Sequence, residues 1–314
     1  MKTAQFLKYE INPRYFEQYP IDWKQIFGCQ APLAIEIGCG NGEFLISWVQ
    51  SHPDWNFVGI EMALESVARI QRRLFQYNVQ NVRVIRDDAR FVIRELFSDE
   101  SLHYVMTNFP DPWPKDKHRH HRLMTPEFTR TLAAVLQKDG IFEIVTDQLW
   151  YAEEVQLLLK KSGFFAVAEI EENPVRSVTT KYERKWRKLG RAIYRVVVRK
   201  QQFCSINRIL ENTEMPHVII EKELHPAQIF KLKDTLYKEE GLVFNIKKVY
   251  SDNHFKEFLL ETVAVDSGYK QIFFILIARH PKGFIVKIDQ SIQPYRTPAV
   301  KKAVFQIGKI LSEN

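Results

Sequence analysis

Nowhere in the 314 residues does an apolar run approach the roughly 18 residues that a membrane-crossing helix requires. The amino-terminal M-K-T-A-Q-F-L-K has no long apolar core and no cleavage signal, so the expected location is the cytoplasm. Cysteine is scarce. Cys29, Cys39 and Cys204 are scattered and odd in number, which argues against a disulfide framework, and they lack metal-ligand spacing. Cys39 reads as a small buried thiol. Charge of one sign is not concentrated either: the net charge of +7 and pI of about 9.1 are compatible with a polyanionic partner, yet 16 of the 45 cations and 13 of the 38 anions fall after residue 200. Composition therefore locates no nucleic-acid face. With 45% hydrophobic residues, the chain has room for about two domains.

Residues 33–42 read L-A-I-E-I-G-C-G-N-G, and an amphipathic run over 44–49 follows. The pattern is strand, tight glycine turn, helix. Glycines let backbone approach a ligand closely at the carboxyl end of a parallel strand, where open α/β sheets bind nucleotides. The spacing is not that of a dinucleotide fingerprint, because the third glycine comes one residue early and Glu43 stands where a small residue is needed. Glu36, just before the glycines, suits a cationic part of a ligand. A plain structural loop is the alternative reading.

Residues 1–30, with seven aromatics and two prolines, read as a lead-in segment packed on the domain. A second apolar strand over 56–61 ends in Glu61, 25 residues after Glu36, placed to accept hydrogen bonds from ribose hydroxyls or to cap a helix. A helix over 64–77 carries Arg69, Arg72 and Arg73 on a solvated face. Further strands are expected over 82–85, 101–108, 142–148, 164–171 and 192–198, with helices over 90–96, 151–161 and 181–189. This alternation is the doubly wound α/β pattern. After the fourth strand, residues 108–115 read N-F-P-D-P-W-P-K. Three prolines make that loop stiff and hold Asp111 between two of them.

The set E-I-G-C-G-N-G, G-I-E, D-D-A and F-P-D-P-W, followed by T-D-Q-L-W-Y from Thr146 to Tyr151 and T-K-Y-E from Thr180 to Glu183, closely resembles the bacterial-type tRNA (guanine-N7-)-methyltransferase family. E-x-G-x-G-x-G is similar to motif I of class I S-adenosylmethionine-dependent methyltransferases. The resemblance implies a seven-stranded doubly wound sheet with an antiparallel final strand, ending near residue 200. It implies S-adenosyl-L-methionine as cofactor, S-adenosyl-L-homocysteine as product and no metal. It implies cofactor contacts at Glu36, Gly38, Gly40, Gly42, Glu61, Asp88 and Asp111, with Asp88 reaching the adenine amino group, and a catalytic role for Asp111. Substrate contacts are implied at Lys115, Asp147, Thr180, Lys181, Tyr182 and Glu183. The acceptor would be N7 of the variable-loop guanosine, position 46, of tRNA.

One departure is plain: the family's K-R-R run is replaced by a stretch holding His118, Arg119, His120, His121 and Arg122, which makes phosphate affinity partly pH-dependent. Zinc at these histidines lacks the spacing of known sites. N7 of guanine carries an in-plane lone pair and needs no general base, so the protein must supply alignment and groups that tolerate positive charge on the base. Asp111 and Asp147 suit that task. Trp113 or Phe109 would stack on an extruded base, or Trp113 anchors the loop. Lys181, Arg184, Lys185, Arg187, Lys188 and Arg191 form the densest basic run and are candidates for tRNA backbone contact, or a solvated helix face.

Residues 201–314 read as a separate α+β extension resembling that of some thermophile members. Five β-rich segments precede a closing helix begun by Thr297 as N-cap and Pro298, with Val300, Val304, Ile307 and Leu311 as its apolar stripe. Lys301, Lys302 and Lys309 would touch RNA, or the extension braces the first domain. Two other functions stay open: methylation of an exocyclic amine of nucleic acid or protein, since the proline loop is similar to a [DN]-P-P-[YFW] loop, and a non-catalytic RNA-binding protein. Monomer or homodimer is left undecided.

Overall fold

The structure is a computed structural model that describes residues 6–210 and 214–313. Residues 1–5 of the lead-in, and 211–213 and 314 of the extension, lie outside the described residues. The chain forms two units, one of residues 1–13 and 20–208, the other of 14–19 and 209–314. The first unit runs β1 (Glu10–Ile11), α1 (Trp23–Phe27), β2 (Leu33–Ile37), α2 (Glu43–Ser51), β3 (Asn56–Ile60), α3 (Leu64–Gln76), β4 (Val82–Ile85), α4 (Ala89–Leu96) and β5 (Leu102–Asn108). It continues through α5 (Pro126–Val135), β6 (Leu136–Thr146), α6 (Leu149–Ser162), β7 (Phe165–Val167), β8 (Glu171–Glu172), α7 (Lys181–Lys188) and β9 (Tyr194–Lys200).

The sheet order is β1-β4-β3-β2-β5-β6-β9-β7, with β8 paired to β9. Its seven longer strands are the doubly wound sheet that the alternation predicts, and β9 runs antiparallel to β6 and β7. The two-residue strands β1 and β8 are additions at its margins. β2 and β3 are buried along their whole length, as strands covered on both faces must be, which is why they read as continuous apolar runs. β4, β3, β2, β5 and β6 are mutually parallel, so their carboxyl ends share one edge. Strand order reverses between β2 and β5, and that switch point is where such sheets bind ligands.

The expected strand over 164–171 is broken. Only Phe165–Val167 and Glu171–Glu172 pair with β9, and the lone strand of 142–148 starts earlier, at Leu136. The turn after β2 packs tightly: Gly42 has φ +72°, and a Cβ there would lie 2.3 Å from Ile70 Cγ1 of α3. Cys39 is buried, as expected for a small thiol in this turn.

The second unit holds β10 (His217–Ile220), α8 (Pro226–Phe230), β11 (Leu236–Glu239), β12 (Leu242–Ser251), β13 (Glu257–Asp266), β14 (Tyr269–His280), β15 (Gly283–Ile288) and α9 (Pro298–Glu313). Its antiparallel sheet, in the order β10-β15-β14-β13-β12-β11, shares a core with α9 in which Val300, Val304, Ile307 and Leu311 join Phe244, Phe273 and Ile275. Asp266 of β13 accepts from the Ala299 amide in the first turn of α9 (2.8 Å), while the Thr297 hydroxyl, expected as the cap, accepts from Gln271 Nε2. Six lead-in residues belong to this unit. The Arg14 guanidinium lies 4.6 Å from the Tyr295 ring centre, and Arg296 donates to the Phe16 carbonyl. Among the described residues, no helix is long and apolar enough to cross a membrane.

Gly42→Ala combines a left-handed backbone with overlap on Ile70, whereas Gly163, at φ +73°, faces open space. Gly163→Ala is expected to cost about 1 kcal/mol and Gly42→Ala about 3 kcal/mol or more in urea unfolding. Equal losses would show that α3 yields freely to the extra methyl group.

Candidate active site at the carboxyl edge of the sheet

Glu36 is the penultimate residue of β2 and is 2% exposed. Asn108, at the end of β5, donates through Nδ2 to Glu36 Oε1 at 3.2 Å. The other oxygen, Oε2, is buried and has no hydrogen-bond partner. Burial pushes the Glu36 carboxyl up to about 8, with Asn108 and Arg176 pulling it down and Glu61 raising it further. An orphaned buried acceptor beside a glycine turn is a place for a ligand that brings an N–H donor or a positive charge. The α-amino group of S-adenosylmethionine fits that description.

The turn itself is left-handed at Gly38, Gly40 and Gly42 (φ +69°, +50° and +72°). A Cβ at Gly38 would meet nothing within 4 Å, so the backbone there is open to close approach. Gly38 and Cys39 donate to the Ile60 carbonyl, and Gly40 donates to Glu61 Oε2 at 2.9 Å. Glu61 Oε1 accepts from Met62 and Ala63 at 2.9 Å each, so this carboxylate ties the glycine turn to the start of α3. Ribose hydroxyls would have to share a group already at work in the fold. The same holds for Asp88, the N-cap of α4, which accepts from the Arg90 amide at 2.8 Å and from its guanidinium at 3.3 Å.

From β5 the chain enters the proline loop. Phe109 (φ +52°) and Trp113 (φ +44°) are non-glycine residues in the left-handed region, a strained conformation that the surroundings must enforce. Arg122 does so. Its Nε and Nη2 donate to the carbonyls of Pro112 and Trp113 at 3.0 Å each, and Nη1 donates to both oxygens of Glu154 in α6 at 2.7 Å. Arg122 is 4% exposed, so it is a clamp for the loop and not the phosphate-binding cation that the basic run suggested. Asp111, by contrast, is exposed, and Lys115 beyond it is exposed too. Trp113 packs against the rings of His118 and His121 at 5.6 and 5.0 Å. Among the described residues, no His, Cys, Asp and Glu group is arranged to hold a metal ion.

Asp147 follows β6, accepts from Gln148 Nε2 at 2.9 Å and faces Arg191 at 3.6 Å. Tyr151 is a core residue of α6 whose phenol burial pushes up to about 12. Thr180 caps α7 by accepting from the Glu183 amide at 3.0 Å, and Lys181 and Tyr182 are exposed on its first turn. Glu183, implied by the resemblance as a substrate contact, is fully buried between Arg176 (3.0 Å) and Arg187 (2.9 Å) and ion-paired to both. Arg187 is thereby taken from the basic run, and Arg184 likewise pairs with Glu43 at the start of α2. Lys181, Lys185 and Lys188 remain as its outward cations.

The parallel topology thus brings Glu36, Gly38, Gly40, Gly42, Glu61, Asp88, Asp111, Lys115 and Asp147 to one edge. Sequence reasoning missed Asn108, Arg176, Glu143 and Glu154, which act between elements and carry no local spacing signal. Asn108 alone was within reach, as the first residue of the proline motif.

Because the folded Glu36 value of about 8 lies above the ordinary 4.5, its stabilising contribution is fully present below pH 4.5 and is lost as pH rises through about 8. Stability against urea is expected to fall by a few kcal/mol between pH 5 and 8, and Glu36→Gln to remove most of that fall. Identical slopes in the two proteins would place the folded Glu36 charge where the unfolded one is.

The family model described as "Putative methyltransferase" matches residues 30–196, the part of the chain that carries this edge. The tRNA (guanine-N(7)-)-methyltransferase of Thermotoga maritima is 38% identical over 97% of this chain and 97% of its own length. That of Coprothermobacter proteolyticus is 32% identical over 96% and 93%. The Nitrosomonas europaea enzyme of the same name is 32% identical over 62% of this chain and 90% of itself, so its likeness leaves a large part of this chain unmatched. Similarity that extends through both units in the first two relatives, on top of the matched glycine turn and proline loop, leaves one assignment: the chain belongs to the tRNA (guanine-N(7)-)-methyltransferase family.

Proposed function

We propose that this protein methylates N7 of the variable-loop guanosine, position 46, of tRNA, using S-adenosyl-L-methionine, and that it does so in the cytoplasm. The single observation that carries the reading is the pairing, at the β2/β5 switch point, of an orphaned buried Glu36 oxygen with an exposed Asp111 on a clamped loop. One side is built for the cation of a donor, the other for the edge of a base.

When bound, the cofactor supplies an electrophilic methyl group on a sulfonium sulfur, which leaves as the neutral thioether. Glu36 would hold the amino group, Gly38 and Gly40 the close backbone contact, Glu61 the ribose and Asp88 the adenine end. Asp111 would accept hydrogen bonds from N1 and N2 of guanine and offset the positive charge that grows on the ring as N7 gains carbon. No proton leaves N7, so no general base is assigned. Arg122 keeps Asp111 at its station, and alignment of this kind is worth orders of magnitude in rate. Asp147, Lys115, Thr180, Lys181 and Tyr182 are the proposed RNA-side contacts, with the residues exposed on α7 facing phosphates.

An unmodified tRNA transcript incubated with labelled cofactor and then digested should yield 7-methylguanosine from position 46. Label on an exocyclic amine, or none, would overturn the reading. Asp111→Ala is expected to lower turnover by about 100-fold or more with cofactor affinity changed less than about threefold. Arg122→Met should do the same by about 100-fold through misplacement of the loop. A variant that loses cofactor affinity in step with turnover would place its residue on the cofactor side instead.

A further inference from the structure

Helix α7 carries the densest basic run in the chain, yet it buries a single side chain, that of Glu183. A helix without an apolar stripe is not positioned by hydrophobic packing. Its station depends on where the Glu183 carboxylate is held, and the inner partner of that carboxylate is Arg176 (3.0 Å, Arg176 side chain 6% exposed). The same guanidinium donates through Nη2 to Asn108 Oδ1 at 2.9 Å, lies 3.5 Å from Glu143 Oε1 and sits over the Phe44 ring at 5.0 Å. Arg195 and Tyr104 complete the shell around Glu143.

An arginine has donors only, so the Asn108 oxygen must face Arg176 and its NH2 must face Glu36. The amide orientation is therefore fixed from both sides. The partly buried chain Glu36–Asn108–Arg176–Glu183 joins the orphaned acceptor of the cofactor turn to the one buried side chain of the basic helix. An outer tie, Arg184 to Glu43, links the same helix to the first turn of α2. The segment bearing Arg176 has space beside it: a cleft of about 260 Å³ lined by Phe44, Trp48, Arg176 and Val178, with Val175 fully exposed.

We propose that Arg176 is a positioning residue that couples the two substrates, so that loading the Glu36 side sets α7 for tRNA and tRNA on α7 tightens the Glu36 side. The proposal rests on the functional reading above. A donor arriving at Glu36 Oε2 favours its ionised form, which strengthens the charge-assisted bond from Asn108 and with it the acceptor presented to Arg176. Breaking the chain at Arg176 leaves Glu183 buried with one partner fewer and frees α7 from the state of Glu36. Coupling is reciprocal, so either ligand reports it.

The test is calorimetric titration of S-adenosylhomocysteine into the full-length protein, alone and with saturating unmodified tRNA transcript. The wild-type affinity should rise by about fivefold or more with tRNA present. In Arg176→Met the factor should fall to about one, in Arg176→Lys to an intermediate value, and in Arg195→Met, which touches neither Asn108 nor Glu183, it should stay at the wild-type value. A merely structural arginine would lower the melting temperature and shift both titrations by the same factor. If Arg176→Met does not fold, Arg176→Lys decides the matter by the same factor. An unchanged factor in the Arg176 variants, a wild-type factor of one, or equal loss in Arg195→Met overturns the inference alone. Wild-type protein that binds neither probe overturns the functional reading together with it.

Discussion

Removing a carboxylate from water inside a parallel sheet is costly, and the first unit is arranged around one such group. Glu36 sits where β2 meets the glycine turn, its one satisfied oxygen reached from the neighbouring strand and its other oxygen left without a donor. In a medium of low polarity that unpaired acceptor favours any ligand bringing an ammonium or sulfonium-bearing group. The tight turn follows from the same demand: close approach of backbone to that ligand needs left-handed φ angles, and Gly42 has no room for a side chain against Ile70.

Around this group the molecule divides its arginines between structure and solvent. Arg122 stiffens the loop that presents Asp111, Arg176 holds Asn108 and Glu183, and Arg187 and Arg184 fix the helix they belong to. Three cations that look like an RNA-facing surplus in the sequence, Arg122, Arg184 and Arg187, are thus committed to carbonyls and carboxylates, and Arg122 is buried as well. Stiffness has a catalytic meaning. A nucleophile that needs no deprotonation leaves placement and charge compensation as the main tasks, and both improve when the groups do not reorganise.

The sheet could be read from the sequence because its strands are buried on both faces and so appear as short apolar runs such as L-A-I-E-I and N-F-V-G-I, punctuated by helices with one apolar stripe. The glycine turn and the proline loop were equally visible, since runs of Gly and Pro mark unusual backbone in any sequence. What escaped were interactions between distant segments. Arg122 and Glu154 are 32 residues apart, and Arg176 and Asn108 are 68 apart, with no periodicity to connect either pair. Glu183 reads as a substrate contact through the family resemblance of T-K-Y-E alone, and nothing in that motif shows that two arginines draw its carboxylate inward. The lead-in shows the same limit. Its aromatics gave no sign that residues 14–19 would join Tyr269 and Tyr295 of the second unit.

The most direct measurement is a crystal structure with S-adenosylhomocysteine bound. The sulfur is expected between the Gly38–Gly42 turn and the Asp111 loop, with the ligand's amino group donating to Glu36 Oε2. An amino group directed elsewhere, leaving that oxygen without a donor, or a sulfur turned away from Asp111, would contradict the proposed arrangement.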